Sequence, residues 1–183
     1  KQQRIQYLLK ESYSLGDKSF AKQSAIMKEL EEIPLELFIE AVRPILANPY
    51  VNGIVKATAI ERLAFEKVQG SFDIYWMKEK RSIQPCTLTS IKKHKIVQEV
   101  MFLLSERIEQ TNPSLYQAMV QEVSLHFFML YPFIEEVITS PTEWVGLYQK
   151  RYSESNQIEE SDYETNEMNR WMQKVEQELM DLT

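Results

Sequence analysis

The sequence is sparing with the residues that punctuate a chain. Four glycines and seven prolines are spread over 183 residues, and that scarcity favours long helices over many short strands. It also leaves too little glycine for most phosphate-cradling loops, and neither the P-loop nor the dinucleotide-binding pattern occurs. Cys86 is the single cysteine, so no internal disulfide forms, which fits a reducing, cytoplasmic compartment. His94 and His126 are the two histidines; they lie too far apart for a local metal motif, and one cysteine cannot complete a zinc set. Apolar runs such as Phe127 to Leu130 are too short to cross a bilayer, and no signal-peptide pattern opens the chain at Lys1. These absences lead to the expectation of a non-enzymatic protein with no catalytic residue, no metal, no cofactor and no membrane span.

What is present is helical periodicity on an acidic balance. The net charge of -6 argues against nucleic-acid binding through bulk charge. Ile5, Leu8 and Leu9 share one face of a helix over 4–15, which Gly16 ends, leaving Asp17 to cap the next. That second helix carries Phe20, Met27 and Leu30 at helical spacing. Pro34 reads as the first residue of a third helix, with Leu37, Phe38, Ala41 and Ile45 inward and Pro44 expected to bend or end it. Asn48-Pro49 reads as the cap and first turn of a fourth helix, with Val51, Ile54, Val55, Ala59 and Leu63 on its apolar face. This pair looks like one HEAT-type helical hairpin, and Asn112-Pro113 is a weak echo of its start.

The pattern changes at Gly70. Phe72, Ile74 and Trp76 alternate with Ser71, Asp73 and Tyr75, predicting two short strands near 71–84 that end at Pro85. A helix over roughly 92–109 is expected to bury Ile96, Val100, Leu103, Leu104 and Ile108. After Asn112, a stripe of Leu115, Met119, Val123, Phe127 and Leu130 runs to Tyr131-Pro132-Phe133. Ser140-Pro141-Thr142-Glu143 is a capping box opening a helix with Trp144, Leu147, Tyr148 and Tyr152. From Ser153 to Glu167 the composition turns acidic and predicts a solvated linker, closed by a second capping box at Ser161-Asp162-Tyr163-Glu164. The last helix carries Met168, Trp171, Met172, Val175 and Leu179 on one stripe. The expected architecture is therefore mainly α, built of antiparallel helical hairpins with one small inserted β-hairpin. A helical domain over 1–152 would be followed by an acidic linker and amphipathic helix over 153–183.

The ordered motifs NPYVNGIVKATAIERLAFEKVQG, FDIYWMKEKRSIQPCTL, NPSLYQ and LHFFMLYPF, followed by Trp144, carry a resemblance. Over about residues 35–152 they resemble the C-terminal part of a family of tetratricopeptide-repeat-containing proteins of Gram-positive Firmicutes. In that family a HEAT-like helix pair precedes a small hairpin, and a helix runs into a Leu-Tyr-Pro-Phe ending. The resemblance implies that the repeats lie upstream; residues 1–33 are the one stretch that could represent their end, and they carry no complete repeat signature. It implies architecture and protein binding, with no catalytic signature.

Several side chains have both a functional and a structural reading. His126 beside an apolar stripe reads as a satisfied core histidine, and His94 in Lys92-Lys93-His94-Lys95 as part of a solvated helix start. Cys86 after Pro85 lies where a thiol pKa can fall, against the simpler reading of a small buried side chain. Lys78, Lys80 and Arg81, with Lys92, Lys93 and Lys95, could hold RNA phosphates beside Tyr75 and Trp76; a charged turn and helix start needed for solubility is the competing reading. The candidate protein-binding residues are Met168, Trp171, Met172, Val175 and Leu179, because Met and Trp are over-used at binding surfaces. A helix so striped must bury its face on its own domain or on another chain. The second arrangement would give a homodimer or a complex with a protein partner. The function expected is a helical-repeat scaffold that holds an apolar helix or segment in an interhelical groove; the alternative is an RNA- or ribosome-associated factor using the basic hairpin.

Overall fold

Helix dominates the computed structural model, as the shortage of glycine and proline predicts. The structure describes residues 1–153 and 166–181; most of the expected acidic linker, including its capping box at Ser161 to Glu164, lies outside the described residues. Backbone contacts divide the chain after Ser90 into two units.

The first unit runs α1 (Gln2–Ser12), α2 (Phe20–Leu30), α3 (Leu35–Ala47), α4 (Gly53–Phe65), β1 (Phe72–Trp76) and β2 (Glu79–Ile83). Helix α1 packs on α3, and α2 packs on α4, the pairing expected when two helical hairpins stack. Leu8, Met27, Leu30, Phe38, Val42, Ile45, Ile60 and Leu63 form the core. Gly16 is required by proximity: a Cβ there would stand 2.8 Å from both Asn48 Oδ1 and Tyr50 Cβ. Arg62 of α4 donates to the carbonyls of Leu30 (3.0 Å) and Ile33 (2.9 Å). Leu30 ends α2 and Ile33 lies in the turn that follows, so Arg62 ties that turn to α4, and the guanidinium also lies 4.2 Å over the Phe38 ring.

Three helix starts differ from expectation. Ser19, not Asp17, caps α2, its hydroxyl accepting from the Lys22 N–H. Pro34 is the cap of α3 and not its first residue, while Pro44 sits inside that helix, which runs on to Ala47. Only the hydrogen bond of one N–H is forfeited there, one turn before the end. Asn48-Pro49 does not open α4. The Asn48 side chain accepts from the Tyr50 N–H at 2.9 Å, closing a local turn, and Asn52 caps the helix by accepting from Ile54 N–H. The apparent echo at Asn112-Pro113 therefore has no structural counterpart, because Asn112 caps its helix directly.

β1 and β2 pair antiparallel, with Phe72 opposite Ile83 and Trp76 opposite Glu79. Phe72, Ile74 and Trp76 are buried as the alternation predicts. Helix α3 packs on β1.

The second unit runs α5 (Lys95–Leu104), a π-helical turn (Ser105–Glu109), α6 (Pro113–Leu130), the short α7 (Ile134–Val137), α8 (Pro141–Tyr152) and α9 (Glu167–Met180). Val100, Leu104, Val123, Phe127, Leu130, Trp144 and Tyr148 fill its core. Helix α5 starts at Lys95 because His94 Nδ1 accepts from the Ile96 N–H. Its buried face is Val97, Val100 and Leu104, with Ile96 and Leu103 only half-buried. Helix α9 packs on α6 and α8.

Candidate functional site

A buried polar constellation lies in the second unit, where α6, α8 and α9 meet. Helical spacing puts Glu122 and His126 one turn apart on α6, Trp144 and Tyr148 one turn apart on α8, and Arg151 one further turn along. Helix α9 adds Glu176. His126 is 1% exposed, and Trp144 and Tyr148 are fully buried. Trp144 Nε1 donates to the Tyr148 oxygen at 3.0 Å, and that hydroxyl lies 2.6 Å from His126 Nδ1. An indole N–H only donates, so the Tyr148 oxygen accepts from it; because Nε2 faces the Glu122 carboxylate, the hydroxyl hydrogen is assigned to Nδ1. The imidazole proton then sits on Nε2, facing Glu122 Oε1 at 4.0 Å; this tautomer is assigned from the hydrogen-bond network.

The surrounding charges are paired. Arg151 makes an ion pair with Glu176, and the Tyr152 hydroxyl donates to Glu122. Burial, reinforced by the Arg151 charge, pushes the His126 pKa down to about 4. Burial pushes the Tyr148 phenol well above its ordinary value, and burial with the Glu122 hydrogen bond lifts Tyr152 to about 12. At neutral pH the cluster therefore holds a neutral imidazole and two neutral phenols, a setting for positioning and not for proton transfer to solvent.

One atom each of Glu122, His126 and Glu176 lie within 4.8 Å of one another, a spacing a divalent cation could bridge. The sequence gives no hint of this, since Glu176 comes from a distant helix. A cation would have to displace Arg151 from Glu176 and Tyr152 from Glu122. The arrangement is a satisfied polar clamp of α6, α8 and α9.

Among the sequence-predicted site residues, Met168, Met172 and Val175 are buried within the second unit, whereas Trp171 and Leu179 are half-buried. Lys174 Nζ lies 4.5 Å over the Trp171 ring. Lys78 and Lys80 are exposed on the hairpin and Arg81 is half-buried, 5.6 Å over Trp76. Lys92, Lys93 and Lys95 are exposed at the start of the second unit. Cys86 is half-buried, and its N–H donates to the Val68 carbonyl. No described helix is long and apolar enough to cross a membrane.

No family model matches the chain, and no solved structure matches it. Over 140 residues it is 24% identical to the TPR repeat-containing protein YsoA of Bacillus subtilis (strain 168), a stretch covering 76% of this chain and 37% of that protein. The chain thus spans little more than a third of the length of that relative. Its mainly helical fold and this distant likeness agree: the chain is similar to a tetratricopeptide-repeat-containing protein.

Proposed function

We propose that the chain is a non-enzymatic protein-interaction module that holds an apolar helix or segment in a groove between helices. The observation that carries this reading is α9. Its Met168, Met172 and Val175 are buried in a helix that packs on both α6 and α8, a helix-in-groove arrangement made within one chain. The first unit offers a second groove of about 560 Å3, floored by Ile5, Leu8 and Ile33 and rimmed by Arg4, Glu29 and Glu32. An apolar floor with a polar rim is the usual anatomy of a protein-binding patch. The likeness to a TPR repeat-containing protein supports the same class. In this reading the chain is the C-terminal part of a longer cytoplasmic scaffold.

In this reading α9 is the resident occupant of the α6–α8 groove, and a partner helix, or α9 of a second copy, takes its place by displacement. A chain ending at Ser153 tests this, with a synthetic peptide of residues 166–181 added back. Saturable rebinding of the peptide, lost with Met172→Asp in the peptide, is expected. If truncation leaves stability, mass and protein partners unchanged, and the peptide does not rebind, the reading fails.

A further inference from the structure

The hairpin of the first unit has two edges, and they are treated differently. Met77 and Lys78 have φ of 47° and 67°, so they form a two-residue I′ turn. Trp76 and Glu79 are then a hydrogen-bonded pair, as are Ile74 with Arg81 and Phe72 with Ile83. The backbone groups of Ser71 and Tyr75 consequently point away from β2. Both carbonyls are occupied by cations from helices: Arg43 Nη1 donates to Ser71 O at 3.1 Å, and Lys56 Nζ donates to Tyr75 O at 2.6 Å. Side chains of α3 and α4 thus occupy the carbonyls at both ends of the β1 edge, and α3 packs along that strand.

The same alternation turns the N–H and C=O of Lys80 and Ser82 outward from β2. Both residues are exposed, and among the described residues no backbone group bonds to either outward edge. An open groove of about 610 Å3 is lined by Ala47 at the end of α3, by residues 73–75 of β1, Asp73 among them, and by residues 80–82 of β2. Lys78, Lys80 and Arg81 stand against two carboxylates, Glu79, which lies 3.9 Å from Arg81, and Asp73 of β1, which pairs with Ser82, so the hairpin keeps one net positive charge beside the exposed Lys80.

We propose that β2 is a docking edge for an extended peptide segment of alternating acidic and aliphatic residues. The segment adds as a third strand: its backbone pairs with Lys80 and Ser82, as in β-augmentation. Partner residues opposite Lys80 and Ser82 share their outer face, where carboxylates meet Lys80. The residues between them face the groove and place small aliphatic side chains against the exposed Ala47. A second copy of this chain does not fit the edge, because β2 against β2 sets Lys80 and Arg81 against the same cations; lysine on an edge strand discourages such self-pairing. The surface is separate from the α6–α8 groove, so its test is independent of that reading.

The experiment is an amide-resolved NMR titration of the whole chain with a capped peptide alternating glutamate and valine. Saturable shifts centred on Lys80 to Ser82 are expected. N-methylation of alternate peptide residues on the pairing edge should weaken binding at least about tenfold, and a lysine–valine peptide should not bind. Ser82→Pro removes an outward N–H while sparing the bonds to β1, and should have an effect like N-methylation. Unmoved Lys80 to Ser82 signals at millimolar peptide overturn the proposal. So does binding that survives N-methylation in the unmodified chain, a readout that does not depend on whether Ser82→Pro folds. A single-stranded oligouridine that shifts the same amides and displaces the peptide overturns it in favour of an RNA surface.

Discussion

The Tyr148 hydroxyl stands 2.6 Å from His126 Nδ1 and joins α8 to α6 at the centre of the second unit. The two rings also stack, with centroids 5.6 Å apart, while Trp144 approaches Tyr148 edge-on at 6.0 Å. One oxygen serves two buried nitrogen partners, so its removal affects more than one bond. Tyr148→Phe should leave Trp144 Nε1 and His126 Nδ1 without this partner and cost about 2–4 kcal/mol of unfolding free energy. Urea unfolding followed by tryptophan fluorescence checks this; a loss under about 0.5 kcal/mol would mean that other groups satisfy both nitrogens.

His126 sets a pH dependence. Its pKa is near 6.5 when free and about 4 when folded, so between those values the unfolded chain binds a proton that the folded chain does not. Its contribution to stability is complete above pH 6.5 and is lost as pH falls through about 4, reaching about 3 kcal/mol. The imidazole signals should titrate with a midpoint near 4, and His126→Gln should flatten the fall in stability between pH 6.5 and 4. A midpoint near 6.5 in the folded protein would refute the burial argument.

Asn52 and Asn48 separate a helix cap from a turn. The Asn52 side chain accepts from Ile54 N–H at 2.7 Å, and the Asn52 backbone N–H donates to Gln23 Oε1 at 2.9 Å. Asn52→Ala should cost about 1–2 kcal/mol through the lost cap. Asn48→Ala, which breaks one exposed turn bond, should cost clearly less in the same melts. The reverse order would return the start of α4 to Asn48-Pro49.

The I′ turn carries strain that can be relieved. Met77 and Lys78 both adopt left-handed backbone without glycine, at roughly 1–2 kcal/mol each. Replacing them by Asn-Gly, the pair that suits this turn, should raise the melting temperature of the first unit, read by thermal denaturation. An unchanged or lower value would mean that the Met77 and Lys78 side chains hold the turn by contacts worth more than the strain.

Much of the architecture was legible because it follows from local periodicity. The stripes of α3 and α6, the alternation of β1, and the caps at Asn112 and Ser140 each depend on residues a few positions apart. The misread starts of α2 and α4 have a common cause. Several residues suited to capping lie within one turn, and tertiary bonds choose among them, as Gln23 does by holding the Asn52 N–H. The polar clamp was not legible at all. His126 was readable as a core histidine, but Tyr148 and Glu176 meet it only through the packing of α8 and α9 on α6.

By itself the sequence determined a mainly helical chain with one small antiparallel hairpin, since glycine and proline are scarce and apolar spacing is encoded residue by residue. Only the tertiary structure decided that Met168, Met172 and Val175 lie against α6 and α8. It also decided that Arg43 and Lys56 donate to the Ser71 and Tyr75 carbonyls of the β1 edge, while no backbone group bonds to the outward edge of Lys80 or Ser82 among the described residues. Periodicity specifies that a face must be buried, but the partner that buries it is set by groups far apart in the chain, whose meeting depends on the closure of the whole fold.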